Sequence, residues 1–185
     1  MSTIPQIYLE GVDDHGFAVD VLEAAQRYDG RQFFPHEVAA SCNKAKTLDR
    51  CMEVGLGYDE IGPLYTEAGL GAGAFDCTGL VLRSVADVLG ADAREFNRNY
   101  RHLRQIASLA IRPKAPIPQG YAVVRYGQTM FPLHMGVYFG NEDGRILEAT
   151  SQTNSVRAST FNWGGTLRIL SPLTLAEHLI QPMEE

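Results

Sequence analysis

Three residues in this chain are of the types, and at the spacing, that could assemble a thiol catalyst: Cys77, His134 and Glu148. Cys77 follows the small-residue run Gly73-Ala74-Phe75-Asp76 and precedes Thr78-Gly79-Leu80-Val81-Leu82, the start of a proline-free, apolar-patterned segment reaching Leu89. That pattern predicts a helix beginning at or just before the thiol. A sulfur there faces unpaired backbone N–H groups and the positive end of the helix dipole, which favour thiolate over thiol. The same local sequence also suits a buried structural cysteine, since thiols are among the groups most often found inside proteins.

Nucleophilic thiol chemistry requires a base to hold the proton and a third polar group to orient that base. His134 opens the β-prone run His134-Met135-Gly136-Val137-Tyr138-Phe139-Gly140. Asn141-Glu142-Asp143-Gly144 then predicts a hairpin turn, and the returning strand brings Glu148 back beside His134. A carboxylate in that place would accept from the imidazole N–H, fix its tautomer and stabilise imidazolium. Glu148 also reads as a solvated strand-end residue, with Gln152 or Asn154 orienting the imidazole instead. His15, His36, His102 and His178 read as surface or packing residues, Cys42 and Cys51 as core or incidental thiols. Trp163 suits either the rim of a cleft or a bend in the core. No histidine pair accompanies the loosely spaced cysteines, so neither zinc nor any other cofactor is expected.

The elements that must position these groups change character midway. In the first half, helices are expected over Gly16–Tyr28, with Asp13 or Asp14 as cap, over Pro35–Cys51, from Cys77 to Leu89, and over Asp92–Leu109. Gly55 to Gly73 is a glycine-rich approach to the thiol. Pro113, Pro116 and Pro118 mark a connector. After it come short strands at Tyr121–Tyr126, Leu133–Phe139, Arg145–Ala149, Ser155–Phe161 and Thr166–Leu170, then a closing helix over Leu173–Leu179. The expected architecture is one α+β domain over residues 1–185, helices first and antiparallel sheet second.

Size and charge agree with that reading. A chain of 185 residues, 45% hydrophobic and 21% charged, can bury a core without staples. A net charge of −6 argues against phosphate-backbone partners, and the one basic cluster, Arg94 to Arg104, is interrupted by Glu95. Three cysteines make no disulfide framework. The N-terminus lacks a basic region followed by an apolar one, and no apolar run is long enough to span a bilayer, so synthesis in the cytoplasm without membrane insertion is expected.

Tyr65, the glycine-rich run into Phe75-Asp76-Cys77-Thr78-Gly79-Leu80-Val81, Gly120 opening a strand, and His134-Met135-Gly136-Val137-Tyr138-Phe139-Gly140-Asn141 together resemble the NlpC family of cell-wall cysteine peptidases. The resemblance covers about residues 62–170 and implies a papain-like α+β fold, with the nucleophile helix packed on a C-terminal antiparallel sheet. It implies Cys77 as nucleophile, His134 as general base and Glu148 as third residue; it implies Tyr65, Asp76 and Thr78 as substrate-side residues. Thr78 stands where Ser is usual, Tyr121 where Asp often follows the glycine, and Glu67-Ala68-Gly69 where the family has an aromatic and two glycines. The implied reaction is hydrolysis of amide bonds in peptidoglycan stem peptides. About the first sixty residues are a helical extension that the resemblance does not explain. A wall hydrolase without a leader would reach its substrate as a phage-tail or lysis component, or as an antibacterial effector with an immunity or inhibitor protein as partner. The same fold acting on a non-wall amide is the alternative.

Overall fold

A computed structural model describes residues 9–33, 74–75, 77–91, 108–128, 132–150 and 155–180. The expected helix over Pro35–Cys51, the glycine-rich approach with Tyr65, most of the expected helix over Asp92–Leu109, and Asp76, Gln152 and Asn154 lie outside the described residues. So does the side chain of Thr78.

Helix α1 spans Asp14–Gln26, two residues earlier at each end than its apolar spacing suggests. Its start is set by Asp13, whose carboxylate accepts from the Gly16 N–H at 2.7 Å. Asp14 does something else: it accepts from the hydroxyls of Tyr121 and Ser171, tying α1 to the strand and the helix that follow those residues. This gives Tyr121 a structural role at the position where an aspartate was expected. Phe17, Ala18, Val21, Leu22, Ala24 and Ala25 form the buried stripe of α1.

Helix α2 spans Cys77–Leu89 and packs against α1 and against the sheet; Leu80, Val81, Leu82, Val85 and Ala86, each at most 1% exposed, lie in the core they share. Side chains of this size stabilise by about 1.5–3 kcal/mol each when fully buried, so α2 is held along its length rather than only at its ends. Buried Ser84 satisfies its hydroxyl by donating to the Leu80 carbonyl at 2.7 Å. Near the C-terminal end, Asp87 accepts from the Tyr28 hydroxyl and pairs with Arg83 at 2.9 Å. Burial and then the Asp87 contact push the Tyr28 hydroxyl from 10.0 to about 12. The neutral phenol is therefore the folded-state form, and the stability it lends is complete below pH 10 and lost as pH rises towards 12. Tyr28→Phe is expected to flatten the alkaline limb of a denaturant-measured stability curve over that interval.

Among the described residues the sheet has seven strands in the order β2-β1-β6-β5-β4-β3-β7. Five are substantial and antiparallel: β3 Ala122–Tyr126, β4 Pro132–Tyr138, β5 Arg145–Thr150, β6 Ser155–Thr160 and β7 Thr166–Leu170. The other two, β1 Gln32–Phe33 and β2 Ala74–Phe75, are parallel to each other, and β1 pairs with β6. These two come from the half of the chain expected to be helical. Two-residue strands carry no alternation for a sequence to reveal. Helix α3, Pro172–Ile180, closes the domain on α1, with Ser171 accepting from Leu173 N–H at 3.2 Å and Thr174 N–H at 3.4 Å.

Strand alternation divides the sheet's side chains between two faces. Ala122, Val124, Met135, Val137, Leu147, Ala149 and Val156 join the helices in the main core. Val123, Tyr138, Ile146 and Ile169 form a smaller cluster on the opposite face, covered by Ile117, Tyr121, Phe161, Trp163 and Leu167. Gly120 enters β3 with φ +80°, and a Cβ on it would lie 1.9 Å from the Ala18 carbonyl oxygen. Only a glycine permits that approach of α1 to the sheet. No helix among the described residues is long and apolar enough to cross a membrane.

Candidate active site

The turn at residues 141–143, closed by Gly144 with φ +63° and by Gly144 N–H donating to the Gly140 carbonyl at 2.9 Å, returns β5 against β4. The printed register pairs Val137 with Leu147 and Tyr138 with Ile146, so the start of β4 runs beside the end of β5. His134 and Glu148 meet there, with Nε2 2.6 Å from Oε2. The second carboxylate oxygen accepts from the Ser159 hydroxyl on β6 at 2.5 Å. Glu148 is 8% exposed, so it is no solvated strand-end residue.

Burial alone would raise the Glu148 pKa; the hydrogen bonds from His134 and Ser159, helped by the nearby charge of Arg125, outweigh it and hold the carboxyl below its ordinary value. The ionised carboxylate can only accept, so His134 Nε2 carries the proton directed at it. That tautomer leaves Nδ1 as the proton-accepting nitrogen. Trp163 packs over the imidazole at 4.8 Å between ring centroids and 53° between planes. Phe161 meets Trp163 edge-on at 5.6 Å and Tyr138 meets Phe161 at 5.3 Å. These rings cover one side of the His134–Glu148 hydrogen bond, where a lower dielectric strengthens it.

Two backbone features shape the strand around His134. Between β3 and β4 the register slips after Arg125↔His134, because Tyr126 pairs with Pro132 and Leu133 has no partner on β3. A bulge of this kind bends the strand locally, and His134 is the first regularly paired residue after it. Leu133 is left 56% exposed beside it. Two residues on, Gly136 faces β5 so closely that a Cβ would lie 2.8 Å from the Leu147 carbonyl oxygen and 2.9 Å from Ile146 Cγ1. Gly136→Ala is therefore expected to cost about 1–3 kcal/mol by forcing β5 away. The same shift should loosen the His134–Glu148 bond, read as a broadened His134 imidazole resonance in NMR spectra.

Cys77 is the first residue of α2, partly exposed and in no disulfide. It reaches that place directly from β2, two residues upstream. Ala74 pairs with Gln32, Gln32 with Ser155, and Ser155 with Thr150. Strand β2 is thus level with the Thr150 end of β5, the end that borders the start of β4. The thiol-bearing helix start and the His134–Glu148 pair lie at the same end of the sheet. His134 and Glu148 are joined by a hydrogen bond, whereas Cys77 comes to that end of the sheet from β2, which β1, β6 and β5 separate from β4. Tyr65, Asp76 and the Thr78 side chain lie outside the described residues.

Ser159 and Arg125 were not legible as site residues. Ser159 shares a strand face with Arg157, two residues before it, on a strand whose pairing partner sequence alone does not name, and Arg125 is one arginine among several. A polar groove at the other end of β4, lined by Gln119, Asn141, Glu142 and Asp143 among others, contains neither thiol nor imidazole. No group of three or more potential metal-ligating side chains occurs among the described residues. Comparison with known proteins gives no matching family model, no matching curated protein and no matching solved structure.

Proposed function

We propose that the chain is a cysteine peptidase or amidase with a papain-like, NlpC-like arrangement, hydrolysing amide bonds in peptidoglycan stem peptides. The observation that carries the reading is the placement of a helix-start cysteine at the same end of the sheet as an imidazole whose Nε2 is committed to a buried carboxylate. The resemblance of the motifs around Cys77 and His134 to wall peptidases supplies the substrate class.

In this mechanism His134 Nδ1 takes the Cys77 proton, giving a thiolate beside an imidazolium that Glu148 stabilises. The sulfur attacks the amide carbonyl carbon, and the oxyanion is held by backbone N–H groups at the start of α2. The C–N bond breaks as Nδ1 returns the proton to the leaving amine, which departs with the thioester left on Cys77. Water then attacks the thioester carbonyl, its proton passes to Nδ1 and on to the sulfur, and the carboxylic acid is released.

Incubation with purified sacculi, followed by mass spectrometry of the released material, tests the substrate class. Fragments cut within the stem peptide, with a new amine and a new carboxylate, are expected from the wild-type chain and not from Cys77→Ala. Cuts confined to the glycan strand, or equal release by both chains, would rule the reading out.

A further inference from the structure

We infer that Arg125 binds a carboxylate of the substrate close to the scissile amide, so that the site selects peptides carrying an acidic group there. This rests on the reading of Cys77 and His134 as one centre. Arg125 on β3 is the direct cross-strand partner of His134 on β4. Directly opposed residues of an antiparallel pair project from the same face with Cβ atoms about 4.5–5.5 Å apart. The guanidinium therefore belongs to the face that carries the imidazole.

Its hydrogen bonding is incomplete. Arg125 Nε is enclosed and has no hydrogen-bond partner. Among the described residues Glu148 is a carboxylate that feels its charge, and Glu148 accepts from His134 through Oε2 and from Ser159 through Oε1. Arg125 thus acts on Glu148 through charge and keeps its donor unmatched. A buried donor without an acceptor is costly, and a ligand acceptor is one of the things that can complete it. The residue as a whole is only partly buried, although Nε itself is enclosed. Its planar fork matches a carboxylate, and Leu133, the neighbour of His134 at the bulge, is exposed. In a chain of net charge −6, a cation facing the site also draws an acidic ligand to this spot specifically.

Alkylation of Cys77 by iodoacetate and by iodoacetamide, with the modified residue located by peptide mass, tests this without requiring a known substrate. The two reagents differ in one charge, so their rate ratio reports a cation near the sulfur. In the wild-type chain the iodoacetate-to-iodoacetamide ratio is expected to exceed that of N-acetylcysteine amide. It is expected to fall about tenfold in Arg125→Gln and to stay near wild type in Arg125→Lys, the scale of one partly screened charge at close range. In the same assay, acetyl-glutamate amide and acetyl-alanine carry the carboxylate on a side chain and on a chain end. Whichever slows iodoacetamide labelling of wild type but not of Arg125→Gln identifies the source, and protection by neither overturns the inference. A reactive Cys77 whose ratio matches that of the small thiol and ignores Arg125 overturns the inference alone. A Cys77 inert to both reagents overturns the underlying reading and the inference with it.

Discussion

Cys77→Ala and His134→Ala are each expected to lower kcat for stem-peptide cleavage by about a thousandfold or more, and the double variant to be little worse than either single one. The lack of additivity follows from the mechanism: a thiol without its base and a base without its thiol are equally unproductive. Two independently contributing side chains would instead multiply their losses. The two variants should differ in stability. Cys77 is partly exposed at the first residue of α2, so its removal leaves the core of Leu80, Leu82 and Val85 intact. Removing His134 strips a hydrogen bond from a carboxylate 8% exposed and opens space beneath Trp163. A loss of about 1–3 kcal/mol is expected for His134→Ala, measured by urea unfolding. Kinetics on refolded, monodisperse samples keeps the catalytic loss separate from this.

Glu148→Ala is expected to lower kcat by about a hundredfold, because it removes the acceptor that fixes the imidazole tautomer and the charge that stabilises imidazolium. Glu148→Gln should lose less, since an amide oxygen still accepts from Nε2–H. It also separates orientation from charge. The same pair of variants carries a pH signature. The folded-state Glu148 carboxyl is held below its ordinary value of 4.5 by His134 and Ser159 against the opposing effect of burial. A depressed acid stabilises the fold fully above 4.5 and loses that contribution as pH falls through the folded-state pKa. Stability of wild type should therefore decline more steeply below pH 4.5 than that of Glu148→Gln, with the two curves running parallel above it. Curves parallel throughout would mean that the carboxylate is not held as described.

Much of the architecture was readable from alternation and turn chemistry. The run around His134, the Asn-Glu-Asp-Gly turn and the run around Glu148 have strong local signals, and the hairpin they form accounts for the bond between the two side chains. The α+β class and the five longer strands follow from the same kind of signal. What escaped is what local sequence does not encode. The bulge at Leu133 changes register by one residue, and although Pro132 beside it suits a bulge, the sequence does not give the register on either side. Strands β1 and β2 are too short to show a period, yet β2 fixes where α2 begins relative to the sheet. Ser159 and Arg125 acquire meaning only from which strand lies next to which. Asp13 and Asp14 looked interchangeable as caps; tertiary bonds to Tyr121 and Ser171 divide the two roles between them.

The central claim is that Cys77 and the His134–Glu148 pair act as one ionised centre, and the pH profile of Cys77 alkylation by iodoacetamide tests it most directly. In the wild-type chain the rate is expected to remain high well into the acidic range, because the imidazolium holds the thiolate. In His134→Ala the profile is expected to revert towards that of an ordinary thiol, with its inflection near about 8.5. Superimposable profiles for the two chains, both inflecting near that ordinary value, would contradict the claim.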